Sequence, residues 1–136
     1  MDFAHFLAAQ DPVYPAVLAE LRAGRKASHW MWFVFPQLMG LGHSPMAERF
    51  AIGDIAEARA YLAHPVLGPR LVAATELVNA VEGRSAQQIF GSPDDLKFRS
   101  SMTLFGRADP GIAAFGAALA KYYAGIEDPR TLELLG

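Results

Sequence analysis

Residues 24–44 read GRKASHWMWFVFPQLMGLGHS, and the apolar run within them, residues 28–35, decides the fold class. A continuous apolar run of this length is compatible with a buried strand or a buried helical turn, and its residue types alone favour a strand. No other strong strand candidate occurs in the chain, and a single strand has no partner for its backbone hydrogen bonds. We therefore predict that residues 28–35 are helical and that the fold is all-α.

Helix start signals recur along the chain. Asp54 and Ser85 are placed to cap helices, and an aspartate followed by proline begins helices at residues 11–12 and 128–129. Apolar residues at alternating spacings of three and four predict further helices between these points. Because no repeat or shift in composition divides the chain, we predict one domain over residues 1–136. The expected fold is a single compact array of about seven or eight helices.

Composition restricts the class of protein. The chain has 136 residues, of which 52% are hydrophobic and 19% charged, and its formal net charge is −2. This is typical of a packed globule without the basic surface of a nucleic-acid binder, and the high apolar content is compatible with a homodimer. The absence of cysteine excludes thiolate chemistry. Because neither a signal peptide nor a long apolar segment is visible, we expect a cytoplasmic protein with no membrane contact.

The first candidate site segment is residues 26–44, which combine cationic, amide, hydroxyl and aromatic side chains. A lysine can hold an anion, a histidine can transfer a proton near neutral pH, and an indole can stack on a planar ring. Tryptophan is also a common core residue, so burial of both indoles is the structural alternative. The candidates are the catalytic acid or base His29 and the ligand-binding residues Lys26, Trp30, Trp32, Gln37 and Ser44.

The second candidate segment is residues 91–105, which read GSPDDLKFRSSMTLF. Hydroxyls and cations near an expected helix N-terminus resemble an anion-binding wall, because free N–H groups there attract phosphate or carboxylate. The structural alternative is a capping segment with solvated charges. The candidates are the catalytic residue Ser100 and the ligand-binding residues Asp94, Lys97, Ser101 and Thr103.

Common catalytic motifs are missing from the sequence. Gly40 and Gly42 lack the third glycine and the preceding strand of a dinucleotide-binding fingerprint. The four histidines form no His-Glu-x-x-His pattern, so we expect no metal and no cofactor. Neither candidate serine has the Gly-x-Ser-x-Gly context of a hydrolase nucleophile. Arg70 lies among apolar helix neighbours and is expected to be structural, paired with a carboxylate such as Asp94 or Glu57.

The whole pattern resembles a bacterial family catalogued as a domain of unknown function, DUF1810, whose members are sometimes labelled calpastatin-like. The resemblance is carried by residues 24–38, 57–58, 61–62, 64–65, 67–68, 70–71, 90–91 and 100–105, with Gly40, Leu41, Gly42, Ser44, Asp94 and Lys97. It covers nearly the whole chain and implies a small all-α fold, but no established activity. The calpastatin label does not fit, because a calpain inhibitor is a disordered repeat protein and this composition is that of a packed globule.

Two functional hypotheses follow from these observations. In the first, the two segments line a cleft that binds a small anionic molecule, phosphorylated or nucleotide-like, and a metal-independent hydrolase or transferase reaction takes place there. In the second, the aromatic run contacts a protein partner and the chain has no catalytic activity. The two indoles discriminate between them. A polar cleft lined by both favours a ligand, a flat exposed aromatic patch favours a partner, and burial of both favours a structural role.

Overall fold

Ten α-helices form the regular structure of residues 2–136, the part of the chain described by this computed structural model. They are α1 (Ala4–Gln10), α2 (Tyr14–Arg22), α3 (Met31–Val34), α4 (Pro45–Arg49), α5 (Ile55–Ala63), α6 (Leu67–Ala80), α7 (Ala86–Phe90), α8 (Asp94–Ala108), α9 (Ala113–Tyr123) and α10 (Pro129–Leu135). Over this range there is no strand, and one isolated bridge joins Leu38 to Ile52. None of these helices is long and apolar enough to cross a bilayer. The prediction of an all-α fold is confirmed.

The predicted number of about seven or eight helices is wrong, because short helices add to the total. Helices α3, α4 and α7 have only four or five residues each. Such elements contain too few apolar positions to show a helical period, so capping side chains are their clearest signal. The Ser44 hydroxyl accepts a hydrogen bond from the Ala47 N–H at 3.1 Å. Ser85 and Gln88 form a reciprocal capping box at the start of α7.

The segment that decides the fold class is helical over Met31–Val34, while residues 24–30 form an irregular loop. Its backbone bonds are helical, since the N–H groups of Val34 and Phe35 donate to the carbonyls of Trp30 and Met31 at 3.1 and 3.2 Å. Trp30, Phe33 and Phe35 are all core residues. Two backbone hydrogen bonds hold the chain after α3. The Met39 N–H donates to the Ile52 carbonyl at 2.8 Å, and the Ile52 N–H donates to the carbonyl of residue 37 at 2.9 Å.

Helix α8 lies at the centre of the packing and contacts α5, α7, α9 and α10. Its Phe98 is fully buried, with its ring centroid 4.9 Å from that of Phe35 and 4.7 Å from that of Phe90. Burial of one such side chain stabilises the fold by about 1.5–3 kcal/mol. These aromatic contacts fix residues 30–35 against the N-terminal half of α8. They therefore place the first candidate segment beside the second.

The start of α6 lies against the end of α5 at Gly68. A Cβ atom at this position would lie 2.1 Å from the carbonyl oxygen of Leu62, a separation that no side chain tolerates. Gly68 is itself fully buried within α6. The close crossing of the two helices therefore depends on glycine at this position.

Arg70 is structural, as expected, but it does not pair with Asp94 or Glu57. Its Nη1 atom lies 2.8 Å from Asp11 Oδ1, and its guanidinium lies 4.7 Å from the ring centroid of Tyr14. The expected partners make other contacts, since Glu57 accepts a hydrogen bond from a nearby backbone N–H and Asp94 binds two lysines. The sequence does not show which carboxylate Arg70 meets, because that depends on the tertiary packing of α2 directly on α6.

Candidate functional site

The two candidate segments meet at an ion-pair cluster. Lys26 Nζ lies 3.0 Å from Asp94 Oδ2, and Lys97 Nζ lies 3.4 Å from Asp94 Oδ1. Lys26 also donates a hydrogen bond to the carbonyl oxygen of Ser28 at 2.6 Å. We name Lys26, Asp94 and Lys97 the lysine cluster. Because two ammonium groups share one carboxylate, the cluster has one net positive charge.

Glu20 of α2 holds the loop that presents Lys26, and it is a residue that our sequence analysis missed. Its carboxylate accepts hydrogen bonds from the N–H groups of Ala27 and Ser28 at 2.6 and 2.9 Å, from the Ser28 hydroxyl at 2.6 Å and from the Trp30 indole at 2.9 Å. Burial alone would raise the pKa of Glu20, but these hydrogen bonds outweigh it and lower the pKa to about 2. Glu20 is therefore charged at neutral pH. No local spacing in the sequence indicates these contacts.

The two indoles occupy different environments. Trp30 is fully buried, and Lys26 Nζ lies 5.1 Å from its ring centroid. Trp32 is only half-buried, and Lys97 Nζ lies 5.3 Å from its ring centroid. Both distances are within the range of a cation–π interaction. Trp30 is thus a core residue, and Trp32 is the indole that a ligand at the lysine cluster can reach.

The three candidate hydroxyls of the second segment lie in α8 and are buried. Ser100 and Thr103 each donate to the carbonyl oxygen four residues earlier in the helix, at 3.1 and 2.8 Å, and Thr103 Oγ1 also accepts from the Asp128 N–H at 2.9 Å. Ser101 is fully buried, and its hydroxyl has no partner among the described residues. Because these hydroxyls are buried, they do not form an exposed surface that an anion could contact in this conformation.

The described hydrogen bonds join none of the remaining candidates to one another. His29 is exposed in the loop before α3, and the described contacts include no hydrogen bond between it and the buried Ser100. Gln37 is half-buried, and its backbone carbonyl pairs with Ile52. Ser44 is exposed and caps α4. The nucleophile and base suggested by the sequence are therefore not hydrogen bonded to each other in the described contacts.

The ion pairs of the lysine cluster bring the two segments into direct contact. Five cavities of the described part of the chain have volumes of about 180–440 Å³, and the lysine cluster lines none of these five. The cavity of about 440 Å³ lies between α8 and α9 and includes Arg107 and Glu127. The sequence analysis missed both of these residues. No three His, Asp or Glu side chains of residues 2–136 converge as a metal site requires.

The protein is an all-α protein of ten helices over the described residues, and comparison with known families identifies its family. The chain belongs to the family described as "Protein of unknown function (DUF1810)", whose model matches residues 1–135. The chain is also similar to the crystal structure of the conserved hypothetical protein Rv1873 from Mycobacterium tuberculosis. The two share 61% sequence identity and superpose with a TM-score of 0.96, over 97% of this chain and 94% of the other. A search of functionally curated proteins finds no match.

Proposed function

We propose that this protein binds a small anionic molecule, phosphorylated or nucleotide-like, at the lysine cluster, with Trp32 as the adjoining planar surface. The observation that carries the proposal is that Lys97 pairs with a carboxylate it must share with a second lysine. This contact lies beside a half-buried indole. A cation with a shared partner and an adjacent aromatic ring can accept an anionic group and stack a planar one.

Lys97 is the residue that would meet the ligand. Its side chain is 26% exposed, whereas that of Lys26 is 9% exposed. Lys26 is also fixed by the carbonyl oxygen of Ser28 and by the Trp30 ring. Lys97 and Asp94 are three residues apart on one helix, and ion pairs at this spacing contribute only about 0.2–0.5 kcal/mol, so Lys97 can move from Asp94 to a ligand anion at little cost. Lys26 would then keep the carboxylate neutralised.

The proposal concerns binding and does not include a reaction. A hydrolase or transferase activity stays a prediction from residue types, because His29 and Ser100 are not hydrogen bonded to each other in the described contacts. His29 remains a candidate proton donor, since it is exposed three residues from Trp32. Its role depends on where a ligand places its reacting bond.

Ligand-induced stabilisation tests the proposal. Thermal unfolding would be measured with inorganic phosphate, ribose 5-phosphate, AMP and ADP-ribose, since a ligand at about 100 times its dissociation constant stabilises by about 2.7 kcal/mol. For a domain of this size that corresponds to a rise of roughly 8–10 °C in Tm. Lys97→Gln should abolish the shift, and Lys97→Arg should retain most of it.

Arg130→Gln is the matched control, because Arg130 also forms an exposed pair with a carboxylate three residues away, at 3.5 Å from Glu133. This variant should keep the full shift. The proposal is overturned if none of the four compounds stabilises the wild type, or if Lys97→Gln responds like the wild type.

A protein-binding module is the second candidate function, and one apolar surface favours it. Met39 is 58% exposed and Leu134 is 39% exposed. Both border a groove of about 180 Å³ that Leu38, Ile55 and Leu135 also line. Exposed apolar surface of this kind is common at protein contacts. Sedimentation velocity of the wild type and of Met39→Lys would test whether the partner is a second copy of this chain, in a homodimer. A concentration-dependent dimer that the variant lacks supports it, and a monomer at every concentration argues against it.

A further inference from the structure

The cavity between α8 and α9 has the size and lining of a small-molecule site. Its volume of about 440 Å³ falls within the range of about 300–1,000 Å³ typical of ligand pockets. The walls are mostly apolar and include Ile112 and Leu119, and the only charged residues are Arg107 and Glu127. An apolar cavity with a few converging polar groups is the usual form of such a site. None of the residues of the lysine cluster contributes to it.

Arg107 keeps one side of its guanidinium free. Its Nε and Nη2 atoms donate to the two carboxylate oxygens of Glu127, both at 2.7 Å. The guanidinium has five N–H groups in one plane, so Nη1 and the outer N–H of Nη2 remain. No partner for these groups occurs among the described residues, and the side chain is 54% exposed. The free edge matches the two oxygens of a second carboxylate.

Gly116 is an exposed residue of α9 that lines the cavity. It lies inside α9, where glycine is less favourable than alanine. An added Cβ atom would meet nothing within 4 Å, and the backbone has no positive φ angle that requires glycine. Neither packing nor conformation therefore explains this glycine. Its effect on the structure is to leave space beside Leu119 in the cavity.

We propose that this cavity is a second binding site, independent of the lysine cluster, for a small monocarboxylic acid with an apolar body. The carboxylate binds the free edge of Arg107, and the apolar body fills the space between α8 and α9. Glu127 selects the charge of the head group. Because it already neutralises Arg107, a singly charged carboxylate is accepted more readily than a phosphate dianion, which would meet the negative charge of Glu127.

Titration calorimetry with full-length protein tests this site. The probes are the straight-chain carboxylates from butanoate to decanoate, 3-phenylpropanoate, octan-1-ol and inorganic phosphate. We expect at least one monocarboxylate to bind, with affinity rising with chain length, while octan-1-ol and phosphate bind more weakly. Arg107→Gln should weaken carboxylate binding by about tenfold or more, because it removes the charged guanidinium group that binds both carboxylate oxygens. Gly116→Leu should weaken it at least as much by filling the cavity.

Lys97→Gln is the control that separates the two sites. It should leave monocarboxylate binding unchanged, just as Arg107→Gln should leave the thermal shift by a phosphorylated ligand unchanged. Amide chemical shifts of the wild type provide a measurement without any substitution, and the largest changes should fall in residues 106–127. The proposal is overturned if no monocarboxylate binds at millimolar concentration, if Gly116→Leu binds as tightly as the wild type while folded, or if the shifted amides lie elsewhere.

Discussion

Replacing Glu20 by glutamine tests whether one carboxylate organises the loop of residues 24–30. In the folded protein this carboxylate accepts four hydrogen bonds, three from N–H groups and one from a hydroxyl. Glutamine can place its oxygen at the Oε1 position, which accepts from all three N–H groups, while its NH₂ donates to the Ser28 hydroxyl. The variant therefore keeps the hydrogen-bond partners but loses the negative charge, and hydrogen bonds to a charged acceptor are the stronger ones. We expect the variant to fold with a weakened loop.

The magnitude follows from the pKa of Glu20. The fall from an ordinary value of 4.5 to about 2 sets an upper limit of about 3 kcal/mol, at about 1.36 kcal/mol for each pH unit. Glu20 is only partly buried, so solvent screening reduces the expected contribution to about 1–2 kcal/mol. Because the pKa is lower in the folded state, this contribution is present above about pH 4.5. It is lost as the pH falls from 4.5 towards 2.

Urea unfolding followed by tryptophan fluorescence at pH 7, 4 and 3 measures this contribution. The free energy of unfolding of Glu20→Gln should be lower than that of the wild type by about 1–2 kcal/mol at pH 7, and the difference should shrink at pH 3. Glu133→Gln is the control, because that side chain is 70% exposed and has a single ion-pair partner. A difference below about 0.5 kcal/mol at pH 7, or one that does not change with pH, would refute the reasoning.

Three further substitutions test the helix packing and the contacts of Arg70. Gly68→Ala should lower the free energy of unfolding by about 3 kcal/mol or more, because its Cβ would lie 2.1 Å from the Leu62 carbonyl oxygen. Gly116→Ala, which meets nothing within 4 Å, should instead raise it by about 0.5–1 kcal/mol. An equal effect of the two substitutions would contradict the structure. Arg70→Met should cost about 1 kcal/mol in urea unfolding through loss of its Asp11 pair and its cation–π contact, and an unchanged midpoint would show that these contacts are not stabilising.

Helix starts were the most predictable part of the fold, because their signals are local. Asp54 and Ser85 cap helices as expected, and Asp128 followed by proline begins α10. The start predicted at Asp11 and Pro12 is wrong, because α2 begins at Tyr14 and Asp11 ends α1. The all-α class also followed from the sequence, since the single strand candidate had no partner. Helix α3 is shorter than residues 28–35, because the chain before it follows the contacts of Glu20 rather than a helical path.

The candidate site was predictable only in part. Asp94 and Lys97 are three residues apart on one helix, so their pairing is a property of local sequence. The hydroxyls of α8 show the opposite case. Serine and threonine inside a helix commonly bond to the carbonyl four residues back, and which of them face the core depends on neighbouring helices. Ser100, Ser101 and Thr103 are consequently buried rather than arranged around an anion.

The sequence by itself determined what acts over one or two helical turns. This includes the caps, the all-α class, the Asp94–Lys97 pair and the family to which the chain belongs. Tertiary structure alone decided which distant groups meet. Lys26 reaches Asp94, Glu20 reaches the Trp30 indole, and Arg107 reaches Glu127 only after α8 has packed at the centre of the fold. The physical reason is that hydrophobic burial sets the helix arrangement, and no periodic pattern encodes which polar groups it brings together.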